Sequence, residues 1–452
     1  MGAHKTISLA DEKMQYEFTA KLKSRLMMTL GIGVVMLILG IILLSLGIGE
    51  AHHAAEHGKD AAKHSAEHGH HHYHWFKRVI ANLWLNATFF NGIALIGVFF
   101  LSFNYVAHAG WSVIIKRVPE TFGEFLPISM GAILSLFLLQ IALGDDFTLF
   151  HWTHAGITDL NSKNYDAIIA GKSGFLNVPF FIARMAIFFS LWYFLFRRLR
   201  SFSLQEEQIT DFKDYLKNPT IYNKAVYTSA IFLVVFAVSE SVIAWDWLMS
   251  IDVHWFSTMF GWQNFASWFV SGLATITLTV ILLKEQGYLK SVTKHHLHDL
   301  GKFMFAFSVF WAYVTFCQFL LIYYAHIPEE TTYFNARLNL WDGYYRFLFY
   351  FNFFINFAFP LLVLMAKEAK RTTVILKVVA GAILVGHYLD FYLIIMPGTI
   401  GDNSGFGFVE IGCILIFASL FIYTVAHNLT KAPMIAKNHP FIKESQAFSQ
   451  FN

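Results

Sequence analysis

Ten apolar runs, each about the 20 residues that a helix needs to cross a bilayer, constrain this chain more than any other feature. They lie at 26–49, 83–108, 124–143, 178–197, 225–247, 260–283, 303–325, 345–366, 374–396 and 408–426. In hydrocarbon every backbone N–H and C=O must be satisfied within the protein, so runs of this kind fold as helices. The expected fold class is an all-α polytopic membrane protein with ten transmembrane helices. Composition agrees: of 452 residues 56% are hydrophobic and 14% charged, more apolar surface than a soluble domain can bury. The lipid bilayer is therefore the first expected partner. Nucleic acid is not expected, because a net charge of +3 is spread over the loops and forms no basic patch. The only cysteines, Cys317 and Cys413, lie in separate apolar runs, which excludes a CxxC metal site and a CxxCH haem attachment. A redox cofactor that needs cysteine must sit on another polypeptide.

Both tails and the even-numbered loops hold most of the 33 Lys and Arg, so the positive-inside rule places both termini in the cytoplasm. The long polar leader, residues 1–25, and the lack of a small-residue cleavage site argue for a retained first helix rather than a signal peptide. The outer loop at 50–82 carries nine His between 52 and 74, with His53/His57 and His64/His68 at i, i+4. Such pairs can bind a transition metal, but without a Cys or carboxylate set a solvated low-complexity loop is favoured and no metal site is assigned.

The turn from Ala244 to Gly261 joins two long apolar runs on the outer side. Asp246, Asp252 and His254 can hold or pass protons there, and Trp245, Trp247, Trp255 and Trp262 suit a headgroup belt. Between helices 3 and 4, Asp145, Asp146, His151 and His154 form an outer acid and imidazole cluster, the groups that oxidation of a quinol needs to remove its two protons.

Three segments carry a resemblance: Gly110–Glu120, which reads GWSVIIKRVPE; the turn just described; and Phe310–Thr331, with its WAY, Gln318 and IPEET elements. Together they resemble the NrfD-like integral membrane subunits of alternative complex III, closest to the second of the two such chains in that complex. The resemblance covers nearly the whole chain and implies two four-helix bundles, helices 2–5 and 6–9, with helices 1 and 10 flanking. It implies segments 83–247 and 260–396 for the bundles, a connecting turn at 248–259, an outer loop and last helix at 397–426, and a cytoplasmic tail at 427–452. It also implies a respiratory quinol:electron-acceptor oxidoreductase of the bacterial inner membrane. In that setting this chain carries no cofactor of its own, quinol is a possible ligand, and haem c and iron–sulfur clusters reside on partner subunits. Further partners would be a homologous NrfD-like chain and a terminal oxidase. The His-rich loop has no counterpart in that pattern.

Ionisable groups inside a span cost free energy to insert, so each is a functional candidate. Glu240 lies six residues before Asp246 and hence about 9 Å deeper, as a proton stepping stone or a hydrogen-bonded packing group. His387 and Asp390 share a face at i, i+3 with Tyr388 and Tyr392 nearby, and Pro397 closes the run; the pair reads as a proton relay or a structural hydrogen bond. Arg184 needs an anion, with Asp145 or Asp146 the expected partner, and it joins the candidate quinol site. Trp311, Thr315, Gln318 and Ile322 form one stripe of helix 7, and Asn352 and Asn356 one face of helix 8, where Pro360 frees a carbonyl. Two functions compete: a quinol-binding and proton-conducting subunit, probed at Glu240 and Asp390, and a secondary transporter or proton channel. Transporters carry paired helix breaks near the midplane, whereas here Pro360 is the only proline well inside a span. A purely structural anchor would leave Glu240 and Asp390 without a purpose.

Overall fold

The computed structural model describes residues 12–47, 75–340, 343–401 and 405–448, and the His-rich loop lies outside them. Among the described residues ten helices are long and apolar enough to span: α1 (Ala20–Ser45), α2 (Trp75–Val106), α3 (Arg117–Leu143), α4 (Val178–Glu207), α5 (Thr220–Trp247), α6 (Met259–Glu285), α7 (Lys294–Ala325), α8 (Tyr344–Leu364), α9 (Thr373–Thr399) and α10 (Phe408–Leu429). The protein is an all-α polytopic membrane protein. Local chemistry sets several ends. Thr19 caps α1 by accepting from Leu22 N, Asn177 caps α4 at Phe180 N, and Thr293 with His296 forms a capping box on α7.

The contacts close into two rings. In the first, α2 packs on α3 and α5 while α4 bridges them; in the second, α6 packs on α7 and α9 while α8 bridges those. The rings meet along α2 and α6, with α5 against α6 and α9 against α2, so the contact pattern of one bundle is repeated in the other. The centre is made by close approach: any side chain on Gly92 of α2 would collide with the Trp268 indole of α6, and one on Gly272 with Ile96. Accordingly α2, α6 and α9 are buried around most of their circumference. Outside the bundles α1 lies along α10, where Gly33, Gly40 and Gly412 let the backbones meet.

Both tails meet on one face of the molecule, where Met434 N donates to Met14 O and Gln15 Nε2 to Thr430 O. We call this the termini face. The tryptophans of the opposite face do not form the expected belt: Trp247 and Trp255 are 1% and 2% exposed and packed in the core, and of the four in the turn only Trp262 is mostly exposed. Trp247 instead packs edge-on to Phe189 and Trp192 of α4 inside the first bundle, and Trp255 stacks on Tyr333. Trp84 Nε1 of α2 donates to Trp247 O at the end of α5.

Candidate functional site

Asp390, about two-thirds of the way along α9, is the point where the second bundle converges. Ser267 Oγ of α6 donates to its Oδ2 at 2.6 Å, Trp311 Nε1 of α7 donates to the same oxygen at 3.0 Å, and Asn352 Nδ2 of α8 donates to Oδ1 at 3.1 Å. One carboxyl therefore ties all four helices together while only 3% exposed. A column of polar groups extends from it in both directions. Toward the face opposite the termini, Gln318 Nε2 donates to Gln263 Oε1 at 2.7 Å beside a cavity of about 30 Å³, room for about two water molecules, lined by Gln263, Thr315, Arg337 and Asp390. Toward the termini face, Asn356 Nδ2 donates to Asn352 Oδ1, and His387 and Ser308 follow, each wholly buried. Beyond these the bundle is filled by Met304, Leu364, Leu376 and Ile383, all inaccessible.

His387 and Asp390 share a face as their spacing predicts, but no hydrogen bond joins them. Neither ring nitrogen of His387 has a partner, and the imidazole lies edge-on to Trp311 at 5.5 Å. Tyr388 points to the other side of α9, where its hydroxyl accepts from Asn86 Nδ2 of α2. The expected relay of His387, Tyr388 and Asp390 thus divides between the bundle interior and the junction with α2.

Arg337 closes the column at the face opposite the termini, and the sequence explains why. Pro397 has no N–H, so the carbonyl of Leu393 four residues earlier lacks its helical partner. Arg337 Nε donates to that carbonyl at 2.9 Å, Nη2 donates to Ile394 O and to Asp252 Oδ2, each at 2.9 Å, and Nη1 donates to Tyr333 O. The guanidinium lies 3.4 Å over the Tyr333 ring, which stacks on Trp255 at 3.8 Å. Burial raises the Tyr333 phenol above its ordinary value, so it is a neutral lid on this cation. On α8 the proline is absorbed differently: Pro360 follows a π-helical turn, Phe354–Ala358, that carries Asn356 into the column.

The turn after α5 serves three separate elements. Asp246 binds Arg184 of α4 by two hydrogen bonds of 2.6 and 2.9 Å, and the guanidinium is clamped between Phe175 and Phe180 at 4.0 and 4.3 Å. This corrects the expected partnership of Arg184 with Asp145 or Asp146, which fails because α4 and α5 are direct neighbours and bring the two ends together. Asp252 goes to Arg337, and His254 Nε2 meets Asp166 Oδ2 at 2.6 Å. Burial works against ionisation of Asp166, but the N–H of Ile169, the His254 ring and the N–H of Ile168 outweigh it and hold the carboxyl below its ordinary value. Glu240, 4% exposed, accepts from Asn264 Nδ2 of α6 at 3.0 Å, so the acids of both bundles attach to α6, at positions 264 and 267.

The loop after α3 keeps its acids and imidazoles together near the surface. Asp145 Oδ2 accepts from Ala155 N at 2.9 Å, the His151 and His154 rings stand 4.6 Å apart, and Lys77 of α2 faces Asp145 and Asp146. Arg184 is not among them.

Three further groups of buried polar residues are not among the candidate site residues. Arg78 Nε donates to Glu410 Oε1 at 2.8 Å, joined by Asn82, and the i, i+4 ladder 78/82/86 on α2 was the available signal. Arg337 sits in a short helix between spans (Pro328–Leu338), with nothing local to mark it. On the termini face the Lys116–Glu120 motif becomes an ionic cluster in which Arg117 binds Glu120 at 2.9 Å and Glu207 at 2.6 Å, and Lys116 faces Glu206 at 3.6 Å. Burial, only partly offset by Glu206 and Glu120, lowers the Lys116 ammonium below its ordinary value. Among the described residues no group of three or more His, Cys, Asp or Glu is placed to hold a metal. No protein-family model and no curated protein matches this chain.

Proposed function

We propose that the chain is a membrane subunit of a quinol:electron-acceptor oxidoreductase, similar to the NrfD-like subunits of alternative complex III, and that its second bundle conducts protons. The observation that carries this reading is the convergence of α6, α7, α8 and α9 on the single carboxyl of Asp390, within a polar column reaching toward one face. An intramembrane acid costs free energy to insert, and a packing role alone is served as well by an amide. A carboxyl whose neighbours include the Ser267 hydroxyl, able to donate to the ionised form and accept from the neutral one, suits proton exchange. Gln263 and Gln318 beside the cavity offer the path outward, and Arg337 with Asp252 controls its end. Glu240 on the other flank of α6 gives the first bundle a second buried acid. Haem c and iron–sulfur clusters would then belong to partner subunits, including a second NrfD-like chain and a terminal oxidase, in a bacterial inner membrane with the termini in the cytoplasm.

The transporter reading rests on paired helix breaks, and among the described residues the π-turn before Pro360 has no equivalent in α4, its counterpart in the first bundle. The test is Asp390→Asn in the complex reconstituted into vesicles, since the amide keeps shape and most hydrogen bonds. Fewer protons should move per electron, or quinol oxidation should slow where the steps are tightly coupled. Unchanged rate and unchanged acidification would leave Asp390 as a packing group. Asp146→Asn and His151→Ala, judged by quinol oxidation with assembly intact, ask whether the outer loop contributes to a quinol site.

A further inference from the structure

A second cavity, far larger than the one beside Asp390, is not polar and takes no part in the column. It is a crevice of about 490 Å³ between α2, α6, α9 and α10, with Leu22 of α1 and Tyr16 at its end on the termini face. Along α6 it runs from Thr275 to Gln286, about 16 Å at 1.5 Å per residue, the depth of one leaflet of a hydrocarbon core about 30 Å thick. Phe89, Phe90 and Tyr388 roof it near the middle of the membrane, and it opens sideways past Leu282, Val385 and Ile422, which are 49%, 56% and 46% exposed.

The walls offer a polar headgroup little. Thr275 and Thr279 donate their hydroxyls to Ser271 O and Thr275 O of their own helix, and at the roof the Tyr388 hydroxyl accepts from Asn86 Nδ2, which leaves only its own O–H to donate. The charge lies at the mouth. Lys21 and Lys23 flank Leu22 and are exposed, and Lys13 stands 5.6 Å from the Tyr288 ring, against the exposed Glu17, while Glu285 beside Gln286 is neutralised by Lys377 at 2.7 Å. A ligand that matches this arrangement has an anionic head at the membrane surface and a long apolar chain reaching one leaflet deep. A quinol would reverse it, with its polar ring at the deep end, where the Tyr388 O–H is the one donor among otherwise aromatic and aliphatic lining.

We propose that this crevice binds one acyl chain of an anionic phospholipid from the leaflet on the termini face, held at the junction of the two bundles and the α1–α10 pair. Native mass spectrometry of the full chain, purified in mild detergent and supplied with phosphatidylglycerol or with an isoprenoid quinone, tests it. The wild type should retain one phosphatidylglycerol through delipidation. Ala418→Phe, which fills the crevice from α10, should lower retention roughly tenfold or more, equivalent to at least about 1.4 kcal/mol. Ile411→Phe, on the exposed face of the same helix, should not. Lys13→Glu with Lys21→Glu should weaken phosphatidylglycerol and spare a zwitterionic lipid, and this pair, outside the packed interior, decides the matter should Ala418→Phe fail to fold. Equal retention by all variants overturns the site, and retention of the quinone in place of phospholipid overturns the occupant.

Discussion

Apart from the Arg117–Glu120 pair, the buried ion pairs of the spans join residues that are far apart in sequence, and that fixes what single substitutions should do. Arg184 and Asp246 are 62 positions apart, bidentate and nearly inaccessible. Removing one partner strands the other charge in a dry site, which costs about 3–5 kcal/mol, whereas removing both costs much less. Arg184→Ala should therefore lower the thermal midpoint of the purified chain sharply, and Arg184→Ala with Asp246→Asn should recover much of the loss; equal melting of the single and double variants would show that the pair contributes no coupling. The sequence exposes such residues only in part. Asp390, Glu240 and Arg184 stand out because they are ionisable within apolar runs. Arg337 lies between spans, and its partners are a carbonyl freed by Pro397 and a carboxylate 85 positions earlier, so no local pattern identifies it.

At the scale of helices, hydropathy finds every span and misplaces their ends. The second run reads as 83–108, yet α2 begins at Trp75, because Arg78 and Asn82 look like loop residues until Glu410 arrives from α10 to bind them. The first reads as 26–49, but Thr19 starts α1 six residues earlier by capping it. Helix packing then rests on small contacts: Gly92→Val would drive its side chain into Trp268 at the junction of the bundles, and overpacking of this kind costs about 1–3 kcal/mol, visible as a lower melting temperature. The C-terminal segment should respond to acid. His439 is 3% exposed beside Tyr105 and Tyr222, and burial first, then Lys116 and Arg117, depress it well below its ordinary value. A base depressed in the folded state favours folding fully above its unfolded value, about 6.5, and loses that contribution as pH falls below it, up to about 1.4 kcal/mol per unit. Protection factors for hydrogen exchange over residues 434–447, taken relative to the intrinsic rate at each pH, should therefore fall between pH about 6.5 and 5, and His439→Gln should flatten the dependence.

For the molecule as a whole, the two bundles share a plan and differ in what they enclose. Both offer an acid to α6, but only the second gathers a donor from each of its other helices and continues as a polar column. That column is one-sided. It runs from Arg337 through Gln318 and Asp390 to His387, and is then stopped by Met304, Leu364, Leu376 and Ile383. Asp390 lies nine residues from the end of α9, about 14 Å, and 17 from its start, about 25 Å, so the shorter route is also the polar one. Access should therefore be asymmetric, which cysteine labelling can read directly. With Cys317 and Cys413 replaced, a cysteine at Thr315 should react with a membrane-impermeant maleimide added from the face opposite the termini, slowly in the otherwise native chain and faster when Arg337→Ala removes the closing guanidinium. A cysteine at Ser308 should stay unreactive from the termini face in both backgrounds. Labelling of Ser308→Cys from that side would mean that the apolar barrier is breached and that the second bundle is a continuous pore. Equal labelling of Thr315→Cys with and without Arg337 would show that the cation anchors α9 to the turn without controlling the column.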